Sequence, residues 1–210
     1  MSYGERDVSL YSRQPSIILG FHGCDRAVKE AVLRDGTEIV PSKNAWDWLG
    51  FGIYFWEGDR QRAFEWAEET QRRRHNTSRA IMEPSVIGAV IDLGNCLNLM
   101  DRTSIKQLDE GHKLLVDAFA EVNQPLPKNL PGRANLDCAV IQALHANIEG
   151  NHALAPYDTV RGLFVEGDSV YPDSFFHEKT HVQICVRNIN CILGYFDPLD
   201  KRPMPFQHLQ

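Results

Sequence analysis

Two kinds of apolar pattern alternate along the chain and predict a mixture of helices and strands. Apolar residues at three- and four-residue spacing predict helices. These helices cover 26–34, 59–73, 105–122 and 136–148. Short runs rich in branched and aromatic residues predict strands. These strands cover 16–21, 51–55, 85–92, 159–165, 180–187 and 191–196.

The order of these elements predicts the fold class. Strands and helices alternate at first, two helices follow one another in 101–155, and three strands end the chain. A doubly wound parallel sheet would alternate regularly throughout. We therefore expect one α+β domain spanning 1–210, with a split, mostly antiparallel sheet and a helical insertion at about 101–155. Asn188–Asn190 is predicted to form a hairpin-like turn between the last two strands.

Composition is typical of a globular domain and argues against several other classes of protein. The 210 residues are 43% apolar and 24% charged, with a formal charge of −6. This charge disfavours binding to membrane surfaces and, without a local basic patch, to nucleic acid. The start of the chain has no signal-peptide pattern, and no apolar run approaches the roughly 20 residues that span a bilayer. We expect a cytoplasmic protein.

The cysteine pattern indicates neither a zinc site nor a disulfide framework. The five cysteines are scattered and none forms a C-x-x-C pair. We expect most of them to be reduced, buried side chains.

The first stretch with candidate chemistry is GFHGCD at 20–25. His22 is predicted at the end of a strand, beside Gly23, where a ligand can come close to the backbone. Taken alone, this pattern is more typical of a histidine hydrogen-bonded at a strand end.

The second stretch is GFGIYF at 50–55. Gly50 and Gly52 would let a loop fold close to a ligand just before Tyr54, which offers a flat ring and a hydroxyl group. Taken alone, this pattern is more typical of a glycine-kinked core strand.

The third stretch is the predicted strand 180–187. Alternate residues of a strand share a face, and one face here is unusually polar for a central strand. Its members are His181, Gln183, Cys185 and Arg187. This face either lines a cleft or is the solvent side of an antiparallel sheet.

Together these stretches resemble the ADP-ribosyltransferase fold, in its diphtheria-toxin and poly(ADP-ribose) polymerase branch with a His-Tyr-Glu triad. The resemblance rests on the His-Gly pair at 22–23, the GFGIYF strand and AFEWA at 63–67, followed by a late strand with a polar residue. It covers most of the chain, with 101–155 as an insertion.

The resemblance implies that NAD⁺ is the co-substrate and that no metal is needed. It implies that His22 hydrogen-bonds ribose hydroxyls and that the Gly23 backbone pairs with the nicotinamide carboxamide. Tyr54 would stack on the nicotinamide ring beside Gly52. An aromatic residue of the next helix, Phe64 or Trp66, would close the other side of the ring.

The third triad position departs from the family pattern, because Gln183 stands where the family has glutamate. That glutamate stabilises the positive charge on the ribose as nicotinamide leaves, and glutamine carries no charge. Glu178 is the nearest carboxylate that could substitute for it. Glu166 and Asp173 lie further upstream in the loop before the strand.

The function implied by the resemblance is mono-ADP-ribosylation of a macromolecular acceptor, either protein or nucleic acid, as in a toxin or a defence effector. The loop 165–179 would recognise the acceptor. Its candidate contacts are Glu166, Tyr171 and Phe175. Two alternatives are an NAD⁺ glycohydrolase, with water as acceptor, and a catalytically silent module that binds NAD⁺ or ADP-ribose. The sequence leaves the oligomeric state open.

Overall fold

A computed structural model describes residues 17–73, 81–151 and 153–199. Within these residues the chain forms seven strands, four α-helices and a 3₁₀ turn. The strands are β1 (Ile17–Asp25), β2 (Ile53–Glu57), β3 (Pro84–Asp92), β4 (Cys96–Asn98), β5 (Thr159–Phe164), β6 (His181–Val186) and β7 (Ile192–Phe196). The helices are α1 (Arg26–Asp35), α2 (Arg60–Arg72), α3 (Arg102–Glu121) and α4 (Asn135–Gly150).

The seven strands form one sheet in the order β4-β5-β6-β2-β1-β3-β7. Every neighbouring pair is antiparallel except β4 and β5. This arrangement confirms the predicted α+β class with a mostly antiparallel sheet. The strand that the sequence did not predict, β4, is three residues long, which is too short to show a pattern of alternation.

The predicted hairpin between the last two strands is wrong. Ile189–Cys191 forms a 3₁₀ turn, after which β7 pairs with β3 at one edge of the sheet. The preceding strand along the chain, β6, lies between β2 and β5. Alternation identified both segments as strands, but it carries no information about the partner of each strand.

The pairing of β1 with β2 is short, and this creates a break in the sheet. The two strands are in register only at Gly20 with Glu57 and Phe21 with Trp56. β1 remains paired with β3 up to Asp25, while β2 pairs with β6. The predicted position of His22 at a strand end is therefore wrong, because β1 continues for three more residues beside β3.

Both faces of the sheet are covered. On one face, Val32 of α1 packs in a core cluster with Phe55 and Ile87. On the other face, Leu144 and Ile148 of α4 pack against Val160 and other sheet residues, and α3 packs against α4. The two helices predicted within 101–155 are thus confirmed, and they cover one face of the sheet. None of the described helices is both long enough and apolar enough to cross a membrane.

Candidate functional site

The three strands that carry the sequence motifs are consecutive neighbours, β6-β2-β1. In the β2–β6 pair, Tyr54 is opposite Cys185 and Trp56 is opposite Gln183. Directly opposed residues of an antiparallel pair point to the same side. Tyr54, Trp56 and Gln183 therefore share one face of the sheet.

His22 lies where β1 and β2 separate. Its Nδ1 is 2.7 Å from the backbone oxygen of Tyr54, and because a carbonyl oxygen only accepts, Nδ1 carries the hydrogen. The ring lies 5.8 Å from the ring of Phe55. The structure thus brings His22 to the backbone of Tyr54. Its side chain is on the other face of the sheet, because His22 is opposite Ile87, which packs in one cluster with Phe55.

The hydroxyl group of Tyr54 closes the loop that precedes β2. It donates a hydrogen bond to the backbone oxygen of Gly50 at 2.8 Å and accepts one from the backbone N–H of Leu49 at 3.0 Å. Burial raises the pKa of Tyr54 well above its usual value. The phenol therefore stays neutral, and its ring packs against the cluster that contains Leu49 and Leu144.

Gly50 and Gly52 are explained by the packing of the chain itself. Gly50 has a φ of 79°, in the left-handed region that favours glycine. A Cβ at Gly52 would lie 2.5 Å from both Cys185 Sγ and the backbone oxygen of Val186. The predicted purpose of these glycines, close approach to a ligand, is not needed to account for them.

Gln183 is held by a residue that the sequence did not single out, Trp48. The Trp48 Nε1 donates to Gln183 Oε1 at 2.6 Å. The indole lies over Gly162, where an added Cβ would be 2.7 Å from Trp48 Cη2. A glycine inside a predicted strand was the available signal that another group comes close.

The two aromatic residues proposed to close the nicotinamide pocket pack elsewhere. Phe64 and Trp66 belong to a cluster with Trp56, whereas Tyr54 packs in a separate cluster. Trp66 lies 5.6 Å from the ring of Trp56, and an added Cβ at Gly23 would come within 3.2 Å of Trp66 Cε3. This arrangement follows because α2 packs on β1 and β3. The structure instead places Trp56 on the same face as Tyr54.

Among the candidate carboxylates, Glu166 has the best-defined surroundings. It accepts a hydrogen bond from Arg62 Nη2 at 2.8 Å and lies 4.0 Å from His181 Nδ1. Glu178 is exposed in the loop before β6, as is Asp173. The carboxylate that the structure brings beside β6 is therefore Glu166.

The loop 165–179 presents its aromatic residues to solvent. Tyr171 is 56% exposed and Phe175 is 97% exposed. The loop is nevertheless ordered by internal hydrogen bonds, including one from the Val170 N–H to the Phe176 oxygen at 3.0 Å. Exposed aromatic rings on an ordered loop are typical of a contact surface.

Comparison with known proteins finds one relative in the archaeon Methanocaldococcus jannaschii, the uncharacterized protein MJ0359. It is 29% identical over 198 residues, which cover 84% of this chain and 86% of the relative. The similarity therefore concerns the domain as a whole and not a single motif. No protein-family model matches the chain, and no solved structure matches it.

Proposed function

We propose that the chain is an NAD⁺-dependent mono-ADP-ribosyltransferase. In this reaction the nicotinamide–ribose bond breaks and the ADP-ribosyl group passes to a macromolecular acceptor. The observation that carries the proposal is the adjacency of the three motif strands. Tyr54 and Gln183 share a face, and His22 is fixed against the Tyr54 backbone.

The chemistry requires positioning and charge stabilisation more than proton transfer. The electron pair of the C–N bond leaves with nicotinamide, which departs neutral, and positive charge develops on the ribose. The acceptor then attacks the ribose carbon and loses a proton. A flat ring under the nicotinamide and polar groups at the ribose are the parts that this reaction needs.

In this scheme Tyr54 provides the flat ring and Gln183 the polar group. Because Gln183 Oε1 accepts from Trp48, its N–H₂ group is the part that meets the ribose hydroxyls. His22 holds the backbone oxygen of Tyr54 at the junction of β1 and β2, from the other face of the sheet. The exposed rings of Tyr171 and Phe175 contact the acceptor, which is a protein or a nucleic acid. The proposed setting is the cytoplasm, where such an enzyme would act as a toxin or a defence effector.

A silent NAD⁺-binding module is the second candidate, and one observation favours it. The amide of Gln183 is neutral and its oxygen is already bonded to Trp48. A neutral group contributes only its dipole to a developing cation, so turnover could be lost while binding remains.

The decisive experiment follows nicotinamide release from NAD⁺ by the purified chain, with and without cell extract. NAD⁺ labelled in its adenylate half shows whether label enters macromolecules, and protease or nuclease digestion identifies the acceptor. We expect release with labelling. Tyr54→Ala should lower release at least about a hundredfold, since a positioned binding group is lost, whereas Tyr54→Phe keeps the ring and most of the activity.

Each other outcome selects a different function. Release without macromolecular label would make water the acceptor and the protein an NAD⁺ glycohydrolase. No release with any extract, together with a rise in melting temperature on adding NAD⁺, would contradict the transferase and support the binding module.

A further inference from the structure

Arg62, in the first turn of α2, is a buried cation whose hydrogen-bonding groups are only partly used. The residue is 4% exposed. Its Nη2 donates to Glu166 at 2.8 Å and lies 3.6 Å from a carboxylate oxygen of Glu69. Its Nε and Nη1 are buried and have no hydrogen-bond partner among the described residues.

Two neighbouring side chains show the same incomplete hydrogen bonding. Within the described part of the chain, Trp56 Nε1 and His181 Nε2 are also buried without a partner. The rings of Trp56 and His181 lie 5.9 Å apart, and Glu166 lies within 4.0 Å of His181. The three side chains with unmet nitrogen atoms are therefore neighbours: Arg62 and His181 lie beside Glu166, and Trp56 lies beside His181.

The chemistry of these atoms defines which ligand group would form the missing hydrogen bonds. A guanidinium and an indole N–H only donate, so they need an acceptor, and the buried cation favours an anionic one. His181 Nδ1 donates to the backbone oxygen of Lys179 at 2.6 Å, so Nε2 of the neutral ring accepts and suits a hydroxyl group. A phosphate with a neighbouring hydroxyl, as in a ribose phosphate, has the acceptors and the donor that these three side chains lack.

The position of these residues relative to the proposed nicotinamide site narrows the identity of the phosphate. Trp56 is two residues from Tyr54 on β2, and His181 is two residues from Gln183 on β6, on the same face. Two residues advance a strand by about 6.6 Å, which is close to the length of one ribose unit. Trp56, which is opposite Gln183, is thus about one sugar length from Tyr54, and His181 is about one sugar length beyond Gln183.

We propose that Arg62, Trp56 and His181 form an oxyanion site for the phosphate attached to the nicotinamide ribose of NAD⁺. Without a ligand, the carboxylate of Glu166 is paired with the guanidinium of Arg62, and the bound phosphate takes its place. The side chain of Glu166 is 33% exposed while that of Arg62 is 5% exposed, so the exchange takes place from the solvent side. The identity of this ligand rests on the proposed function, whereas the site itself does not.

The test compares two ligands that differ by one phosphate, nicotinamide riboside and nicotinamide mononucleotide, by calorimetric titration. For the natural chain we expect the mononucleotide to bind at least about tenfold more tightly, as for a charge-assisted contact. Glu166→Ala removes the competing carboxylate, so it should tighten the mononucleotide several-fold and leave the riboside unchanged. Arg62→Gln should abolish the difference between the two ligands.

Asp168→Ala is the matched control, because Asp168 is an exposed acid on the same loop. Asp168→Ala should change the affinity for neither the riboside nor the mononucleotide. This result would show that the gain in Glu166→Ala comes from freeing Arg62 and not from a general loss of negative charge. Arg62→Gln removes a buried ion pair and can fail to fold. The Glu166→Ala variant tests the site without the Arg62→Gln variant, because Glu166→Ala is predicted to gain affinity for the mononucleotide.

The results separate this site from the proposed function. If the riboside and the mononucleotide bind equally in the natural chain and in Glu166→Ala, the oxyanion site is overturned while the nicotinamide site stands. If neither binds, but inorganic pyrophosphate raises the melting temperature of Glu166→Ala more than that of the natural chain, the oxyanion site stands and the NAD⁺ function fails. If none of these ligands binds, both are overturned.

Discussion

The side chain of Gln183 is fixed at the oxygen end of its amide group. Its oxygen accepts from Trp48 at 2.6 Å, and Trp48 is in turn packed 5.0 Å from the ring of Phe164. A glutamate at this position would keep an oxygen for Trp48 and add a negative charge. The residue therefore controls how much charge the proposed site offers to a ribose cation.

We predict that Gln183→Glu raises the rate of nicotinamide release tenfold or more. Two opposite charges about 4 Å apart at an effective dielectric constant of 20 interact by about 4 kcal/mol, and about 1.4 kcal/mol corresponds to a tenfold change in rate. Single-turnover release of nicotinamide is the measurement. Gln183→Ala and Trp48→Phe are the controls, and both should slow release. A Gln183→Glu variant that folds but releases nicotinamide more slowly would contradict this prediction.

At the scale of elements, Asp25 joins three segments. One carboxylate oxygen caps α1 by accepting from the Ala27 N–H at 2.8 Å. The other accepts from the N–H groups of Met82 at 2.6 Å and Glu83 at 2.9 Å, just before β3. The end of β1, the start of α1 and the start of β3 are therefore held together by one side chain next to the His22-Gly23 motif.

We predict that Asp25→Ala costs about 2–3 kcal/mol of unfolding free energy, since it removes an N-cap and two further hydrogen bonds to a charged group. Asp101→Ala is the matched control. Among the described residues, Asp101 accepts only from Thr103 and Ser104 of its own helix, α3, so its loss should cost about 1 kcal/mol. Urea unfolding of the two variants is the measurement, and equal losses would contradict the joining role of Asp25.

At the scale of the whole molecule, α4 holds a buried histidine against the sheet. His145 is 2% exposed, and neither of its ring nitrogens has a hydrogen-bond partner among the described residues. Burial, with a contribution from the Arg187 charge, lowers the pKa of His145 to about 3. The folded chain therefore keeps this ring neutral under conditions in which the unfolded chain protonates it.

We predict that this histidine makes the whole fold sensitive to acid. Between its folded pKa of about 3 and an unfolded value of about 6.5, the unfolded chain binds one more proton, so stability falls as the pH falls. The loss approaches about 1.4 kcal/mol per pH unit, or about 2 kcal/mol between pH 6.5 and 5. Urea unfolding near pH 7 and pH 5 should show this loss, and His145→Leu should remove it. An equal acid loss in His145→Leu would assign the effect to other groups.

The helices and most strands of this protein are determined by local sequence. Helical and strand periodicities depend on residues a few positions apart, and they predicted all four helices and six of the seven strands. Helix ends also follow local rules. The N-caps of α1 and α2 are Asp25 and Asp59, and the C-cap of α1 is Gly36. The α+β class followed from the order of these elements alone.

The candidate site was only partly contained in the sequence. The motifs identified His22, Tyr54 and Gln183, and the sheet order brings their strands side by side. The partners of these residues could not be read from the motifs. Trp48 is 135 positions from Gln183 in the chain, and Arg62 is 104 positions from Glu166.

Tertiary structure alone decided which strands are neighbours and which side chains meet. Periodicity shows that a segment has a buried face, but many partners can cover that face equally well. Whether β7 pairs with β6 or with β3 depends on the path of the chain around the sheet. The same is true of Phe64 and Trp66. They pack near Trp56 and Gly23 because α2 packs on β1 and β3. The sequence determined the elements because their causes are local, and the tertiary structure determined the site because its contacts join residues far apart in the chain.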